Sequence, residues 1–207
     1  MSAGDRTIMD RPRTEYWGVA AELRPLTGGH RNAAFRTLGL RRDVVFKSTR
    51  RSPAAIAWLL SVHDRARDAG FVVPRLLESR HGNLVEDGWT CETFIQGRNL
   101  GASELPGIRP LIEEFHEAAA GLMQRPGFLS SVSLLYSGSG GDVNLDAMPE
   151  EIVFRCREAW RAVSNRREAV IHGDLNTGNV LKVKDGRFAL LDWDESRRDL
   201  VLFDLGQ

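Results

Sequence analysis

Ile171-His172-Gly173-Asp174-Leu175-Asn176-Thr177-Gly178-Asn179, followed by Leu190-Leu191-Asp192-Trp193-Asp194, is the stretch whose reading decides the fold. Two runs of strand character separate its polar clusters, Val180 to Lys184 and Arg187 to Leu191, and Asp185-Gly186 joins them. Asp-Gly between two such runs is the strongest short hairpin signal, since both central positions of a tight hairpin turn take a positive φ. A two-residue turn sets 184 opposite 187, 183 opposite 188 and 181 opposite 190, so Asn179 falls opposite Asp192. Directly opposed side chains lie about 4.5–5.5 Å apart at Cβ, close enough to share one cation. Asp174 precedes the hairpin on a glycine-containing loop. A carboxylate, an amide oxygen and a second carboxylate therefore converge at one open hairpin end.

Amide and carboxylate oxygens are hard ligands, and Mg²⁺ takes one or two carboxylates, several waters and substrate phosphates in preference to an all-protein cage. Asp174, outside the ligand pair, is left to accept a proton from a hydroxyl. One Asp as proton acceptor, with an Asn and another Asp on the metal, is the division of labour in kinase-type phosphoryl transfer. His172-Gly173-Asp174 with Asn179, then Leu191-Asp192-Trp193, resembles the catalytic loop and metal-binding segment of the aminoglycoside phosphotransferase and choline kinase family. That family phosphorylates small molecules on a protein-kinase-like fold. The resemblance implies that Asp174 is the catalytic base, that Asn179 and Asp192 are Mg²⁺ ligands, and that His172 supports the loop. It also implies that Asp204, in Phe203-Asp204-Leu205-Gly206, braces the loop through hydrogen bonds. A surface hairpin with polar ends would explain any single Asp, but not the joint spacing.

The N-terminal half supplies candidates for holding the nucleotide. Leu23 to Leu26, then Thr27-Gly28-Gly29-His30-Arg31-Asn32, then Ala33 to Leu38 reads as strand, glycine-rich turn, strand. Paired glycines let backbone N–H groups approach phosphate, which places Gly28, Gly29 and Asn32 at the cofactor; an ordinary hairpin turn is the competing reading. Lys47 ends the apolar run Val44-Val45-Phe46 and resembles the strand lysine that neutralises nucleotide phosphates. In the family a glutamate from the next helix pairs with that lysine. The helix expected over Ala54 to Asp68 has no acid between Pro53 and Val62, and Asp64 is the first. Either Asp64, a carboxylate from elsewhere, or phosphate alone holds Lys47. Trp89 to Ile95 reads as a strand whose end resembles the hinge between kinase lobes, with backbone at Glu92 to Phe94 meeting the adenine.

The expected architecture is α+β and two-lobed: residues 1–97 as an antiparallel sheet plus one helix, and residues 98–207 mostly helical around the catalytic hairpin. Strands are also read at Phe71 to Leu77 and Asn83 to Glu86. Helices are read over Pro110 to Arg125 and over Pro149 to Val163, the second with Ile152, Val153, Cys156, Trp160 and Val163 inward. His116, beside the first helix's apolar face, reads as a satisfied core-edge histidine. Lys and Arg balance Asp and Glu at 28 each, so no basic excess marks a nucleic-acid footprint. No membrane span or signal-peptide core is present, and two Cys without zinc spacing fit a cytoplasmic protein. The expected donor is ATP, with GTP as the alternative, together with Mg²⁺.

The acceptor is a hydroxyl on an aminoglycoside-, choline- or amino-alcohol-like molecule, which Asp194, Glu195 and Asp199 would attract unless Arg197 and Arg198 balance them. Family members continue past the segment resembling Phe203-Asp204-Leu205, so a short acceptor pocket, a truncated chain or completion by a second copy in a homodimer are the expectations. Two other functions compete. One is a kinase-like nucleotide-binding protein with little or no turnover. The other reads Asp192-Trp193-Asp194 as the Asp-x-Asp of a sugar-nucleotide glycosyltransferase, which leaves Lys47 and His172 to Asn179 without a role.

Overall fold

The computed structural model describes residues 11–26 and 32–206. It forms two compact units, Met1–Pro53 with Arg75–Phe94, and Ala54–Pro74 with Ile95–Gln207.

The first unit is a five-stranded antiparallel sheet in the order β1-β2-β3-β5-β4, with β1 Glu22–Pro25, β2 Ala34–Leu38, β3 Val44–Ser48, β4 Leu76–Leu77 and β5 Trp89–Thr93. Alternation sorts the two central strands into faces. Val44 and Phe46 of β3 meet Trp89 and Cys91 of β5 in a core that Trp17, Val19, Leu23 and Phe35 extend. Val45 and Lys47 take the opposite face, in register with Glu92 and Thr90. Burial pushes the Cys91 thiol up to about 12, helped by the Glu92 charge, so this is an inert core thiol. Of the expected strand over 71–77 only β4 and a bridge at Val72 form, and Asn83 to Glu86 contributes a single bridge, Glu86 to Trp89.

The second unit begins with helix α1, Pro53–Asp68. By compactness helix α1, expected with residues 1–97, groups with the second unit, which resumes at Ile95. Its buried face explains why. Ile56, Leu59, Val62, His63 and Ala66 lie at helical spacing on one side. The Trp58 indole N–H donates to the Met123 carbonyl at 2.9 Å, and Arg125 Nε donates to the Ala55 carbonyl at 3.1 Å.

Next come β6 (Arg98–Asn99), α2 (Arg109–Ala118), the short hairpin of β7 (Ser139–Gly140) and β8 (Val143–Asn144), and α3 (Glu150–Val163). Helix α2 is shorter than its apolar period suggests. The chain leaves helical geometry at Ala119 (φ −95°, ψ 0°) and carries Arg125 into the interior. Helix α3 forms where expected but buries no residue, and Ile152 and Phe154 are exposed. Val153, Cys156, Trp160 and Val163, expected inward with Ile152, are half-buried. Among the described residues no helix is long and apolar enough to cross a membrane.

Strand β9, Glu168–Ile171, pairs with β12, Arg197–Leu200, and leads into the loop from His172 to Asn179. Strands β10 (Val180–Lys182) and β11 (Phe188–Leu190) form the hairpin, with β6 on the outer edge of β10. The chain closes on the one-turn helix α4, Leu202–Leu205.

The hairpin register differs from the expected one by one residue. Val180 opposes Leu190, Leu181 opposes Ala189, and the Val183 N–H donates to the Arg187 carbonyl at 3.0 Å. The loop therefore has three residues, ending on Gly186 at φ +87°. A two-residue turn would need Asp185 at positive φ, which among described non-glycine residues only Asp87 and Asp192 adopt. Asp185 instead accepts the Arg187 N–H at 3.1 Å and its guanidinium at 2.8 Å and 3.0 Å. These bonds favour a turn that ends in a glycine bulge.

Candidate active site

The corrected register carries through to the site. Asn179 stands opposite Leu191, whose N–H donates to the Asn179 carbonyl at 2.9 Å, and not opposite Asp192. Asp192 follows the ladder in left-handed geometry, φ 57° and ψ 71°. Non-glycine residues in that region cost about 1–3 kcal/mol and gather at functional sites. The distortion turns the chain into Trp193–Glu195, so Asp192 occupies a corner at the hairpin mouth, half-buried.

That corner is clamped by a residue the sequence reading passed over. Arg125 is wholly buried, and its Nη1 donates to the carbonyls of Trp193, Asp194 and Ser196 at 3.3, 2.8 and 3.2 Å. Ser196 Oγ donates to the Ile171 carbonyl at 2.7 Å, tying the same turn to the end of β9. The only available signal was an arginine ahead of Pro126-Gly127 in an apolar neighbourhood.

The loop from His172 to Asn179 leaves β9 through His172, whose ring is fully buried 4.7 Å from the Trp193 ring. Nε2 lies 2.8 Å from the Leu191 carbonyl, and Nδ1 lies 3.3 Å from the Asp174 N–H. A carbonyl only accepts and an N–H only donates, which assigns the neutral ring with its proton on Nε2. Gly173 follows at φ +84°, where a Cβ would lie 2.6 Å from the Glu195 carbonyl oxygen. Only glycine fits between the loop and that turn.

Asp174 is held on both carboxylate oxygens, Oδ1 by Asn176 Nδ2 at 3.0 Å and Oδ2 by Asn179 Nδ2 at 2.8 Å. The same two amides also donate to its carbonyl, at 3.2 and 2.9 Å. Because Asn179 turns its nitrogen toward Asp174, its oxygen is the atom left to ligate a cation. Asn99 of β6 fixes the far side of the loop, donating to the carbonyls of Thr177 and Gly178 at 2.9 and 3.1 Å. The charges of Asp204, Asp192 and Asp174 all act on the His172 ring.

Asp204 braces the loop from beneath. It accepts the N–H groups of His172 at 2.8 Å and Gly173 at 2.9 Å, and His116 Nε2 at 2.9 Å. Burial alone would raise its pKa. The His116 hydrogen bond and the Gly173 N–H help to outweigh that, and the carboxyl stays below its ordinary value. His116 is a satisfied buried histidine as read, but its partner is the brace itself, 88 residues away in sequence.

Burial lowers the His172 pKa below 6.5, against the opposing pull of Asp204 and the Leu191 carbonyl. On unfolding, the ring is solvated and takes up a proton as pH falls through its ordinary value. The unfolded state then binds more protons, so stability falls toward acid at up to about 1.4 kcal/mol per pH unit. Melting temperature followed from about pH 8 to about pH 5 will show this slope, and His172→Asn will flatten it.

The first unit carries the nucleotide candidates. Lys47 Nζ lies 2.8 Å from Glu92 Oε1. The Glu92 backbone, expected at the adenine, lies within the ladders to Val45 and Leu76. The Phe94 N–H, expected there as well, donates to the Asp43 carbonyl at 3.0 Å, and its ring lies 3.6 Å from the Arg36 guanidinium. Asn32 is half-buried just ahead of β2. Gly28 and Gly29 lie outside the described residues. Of the acids expected to meet an acceptor, Asp199 is buried and bound to Arg197 Nε at 2.9 Å and to Ser131, which removes it from that role. Asp194 and Glu195 instead join Asp142, with one oxygen of each within 4.8 Å of the others.

Comparison with known proteins agrees with this geometry. A family model described as the phosphotransferase enzyme family, APH, matches residues 133–207. No curated protein matches the chain by sequence. Among solved structures, a microcompartment-associated aminopropanol kinase superposes with a TM-score of 0.66 at 17% identity, covering 93% of this chain and 70% of its own. Spectinomycin phosphotransferase APH(9)-Ia, in complex with ADP and spectinomycin, gives 0.59 at 15% identity, covering 93% and 69%. An aminoglycoside phosphotransferase from Alicyclobacillus acidocaldarius subsp. acidocaldarius DSM 446 gives 0.61 at 13%, covering 93% and 68%. The family model agrees with the family that the His172 to Asn179 motif resembles, and the structural likeness shows the shared fold. The chain therefore has the two-lobed, protein-kinase-like α+β fold of these phosphotransferases, and its residues 133–207 match their family.

Proposed function

We propose that the protein transfers the γ-phosphoryl group of ATP to a hydroxyl of a small molecule, with Mg²⁺ as cofactor. The observation that carries this reading is the grip of Asn176 and Asn179 on the two oxygens of Asp174. A carboxylate so fixed is oriented as a general base, and phosphoryl transfer draws most of its acceleration from positioning and charge neutralisation. Asp174 accepts the proton of the acceptor hydroxyl as the hydroxyl oxygen attacks the γ-phosphorus, and the bond from that phosphorus to the β,γ-bridging oxygen breaks to release ADP. Asn179 Oδ1 and the Asp192 carboxylate are the hard oxygen donors that suit Mg²⁺. Bound there, the ion would neutralise phosphate charge. Lys47 is the candidate for the phosphates in the first unit. ADP in the spectinomycin phosphotransferase supports nucleotide use.

The acidic group of Asp142, Asp194 and Glu195 suits a cationic acceptor of the aminoglycoside, choline or amino-alcohol class. A cytoplasmic location fits a substrate set of ATP and small alcohols. Thermal denaturation with and without Mg-ATP tests the reading. Binding to the folded state alone stabilises by RT ln(1 + [L]/Kd), about 2.7 kcal/mol at a hundredfold excess over Kd. A melting temperature that ATP does not move sinks it.

A further inference from the structure

We propose that Glu92, from the neighbouring strand, is the carboxylate that positions Lys47 for nucleotide phosphate, in place of an acid from helix α1. The inference deepens the phosphotransferase reading and rests on it. Lys47 Nζ and Glu92 Oε1 are 2.8 Å apart, and the side chains are 26% and 12% exposed. At that burial the pair is screened far less by salt than a surface ion pair. Register makes it a built arrangement. Val45 opposes Glu92 and Lys47 opposes Thr90, so Lys47 and Glu92 are diagonal neighbours on one sheet face, within reach for long side chains. Helix α1 offers no competitor in its first three turns, and Asp64 is bound to Arg67 Nη1 at 2.7 Å.

A lysine carries about 2 kcal/mol of rotamer entropy on its four-carbon stem. A carboxylate on an adjacent, hydrogen-bonded strand removes much of that freedom before nucleotide arrives. Because β3 and β5 belong to one sheet, the pair forms without any contribution from α1. A merely structural ion pair would have no preference among nucleotides. A positioning pair acts only on ligands that carry phosphates.

Calorimetric titration of the full chain with Mg-ATP and with adenosine separates these roles. Glu92→Gln should weaken Mg-ATP binding about tenfold and leave adenosine unchanged. In a Lys47→Met background Glu92→Gln should have no further effect, and Asp64→Asn should bind as the parent does. Circular dichroism establishes that each variant is folded. If Glu92→Gln fails to fold, Glu92→Asp, which keeps the charge on a shorter arm, must show the same selective loss. Unchanged Mg-ATP binding in Glu92→Gln, equal losses for both ligands, or additive losses in the double variant would overturn the assignment while leaving the phosphotransferase reading intact. A parent protein that binds no Mg-ATP would overturn both.

Discussion

Replacing Asp174 by Asn should lower the rate of phosphoryl transfer by about 10²- to 10⁴-fold, the usual contribution of a positioned general base. Mg-ATP affinity should be unchanged, because Asp174 is outside the proposed ligand pair. The substitution keeps the side chain's shape, but an amide has one oxygen where the carboxylate has two. The unchanged affinity requires the new amide to keep its oxygen toward Asn179, so that its NH₂ group faces Asn176, which must turn away. That loss amounts to about 1 kcal/mol of local stability. A small drop in melting temperature beside a collapse in kcat is the signature of a base. Steady-state rates at saturating Mg-ATP, over a panel of aminoglycosides, choline and amino alcohols, provide the measurement. Equal losses in kcat and nucleotide affinity would place Asp174 on the metal instead.

The largest stability effect should come from Asp204. Asp204→Ala strips the acceptor from two backbone N–H groups and from His116 in an interior that water does not reach. Each buried polar group left without a partner costs about 1–3 kcal/mol, and removal of one member of a buried charged cluster costs about 3–5 kcal/mol in all. Urea unfolding should register that loss as a lower midpoint at unchanged slope. Asp204→Asn should fall between, since one carbonyl oxygen can still serve some of the three donors. The mechanism links fold to chemistry, because the N–H groups of His172 and Gly173 set the path of the loop to Asp174.

The parts of the site that were legible in the sequence are those whose geometry is local. Gly173 is required by its own dihedral and by one close carbonyl, and Asp174 and Asn179 are joined by a five-residue loop. The hairpin was legible for the same reason, but its register was not. Asp185-Gly186 signals a reversal without saying whether the turn holds two residues or three, and the Asp185–Arg187 bonds decide that. One residue of slip moved Asn179 from Asp192 to Leu191. Partners far apart in the chain were out of reach. Lys47 with Glu92 depends on the register of two strands, His116 with Asp204 on a helix reaching the last turn of the chain, and Arg125 with the Trp193 turn on a helix that ends early. Helix α3 lies between these cases, its period correct but its face only half-buried, with Ile152 exposed.

The central claim is that Asp192 and Asn179 hold a nucleotide-associated cation beside an unligated Asp174. Its most direct test is the affinity for ATP with and without Mg²⁺, measured by calorimetry on the parent chain and on Asp192→Asn. The account predicts that Mg²⁺ tightens ATP binding in the parent and that Asp192→Asn loses most of this gain while still binding the nucleotide. An Asp192→Asn variant that keeps the full Mg²⁺ gain would contradict it.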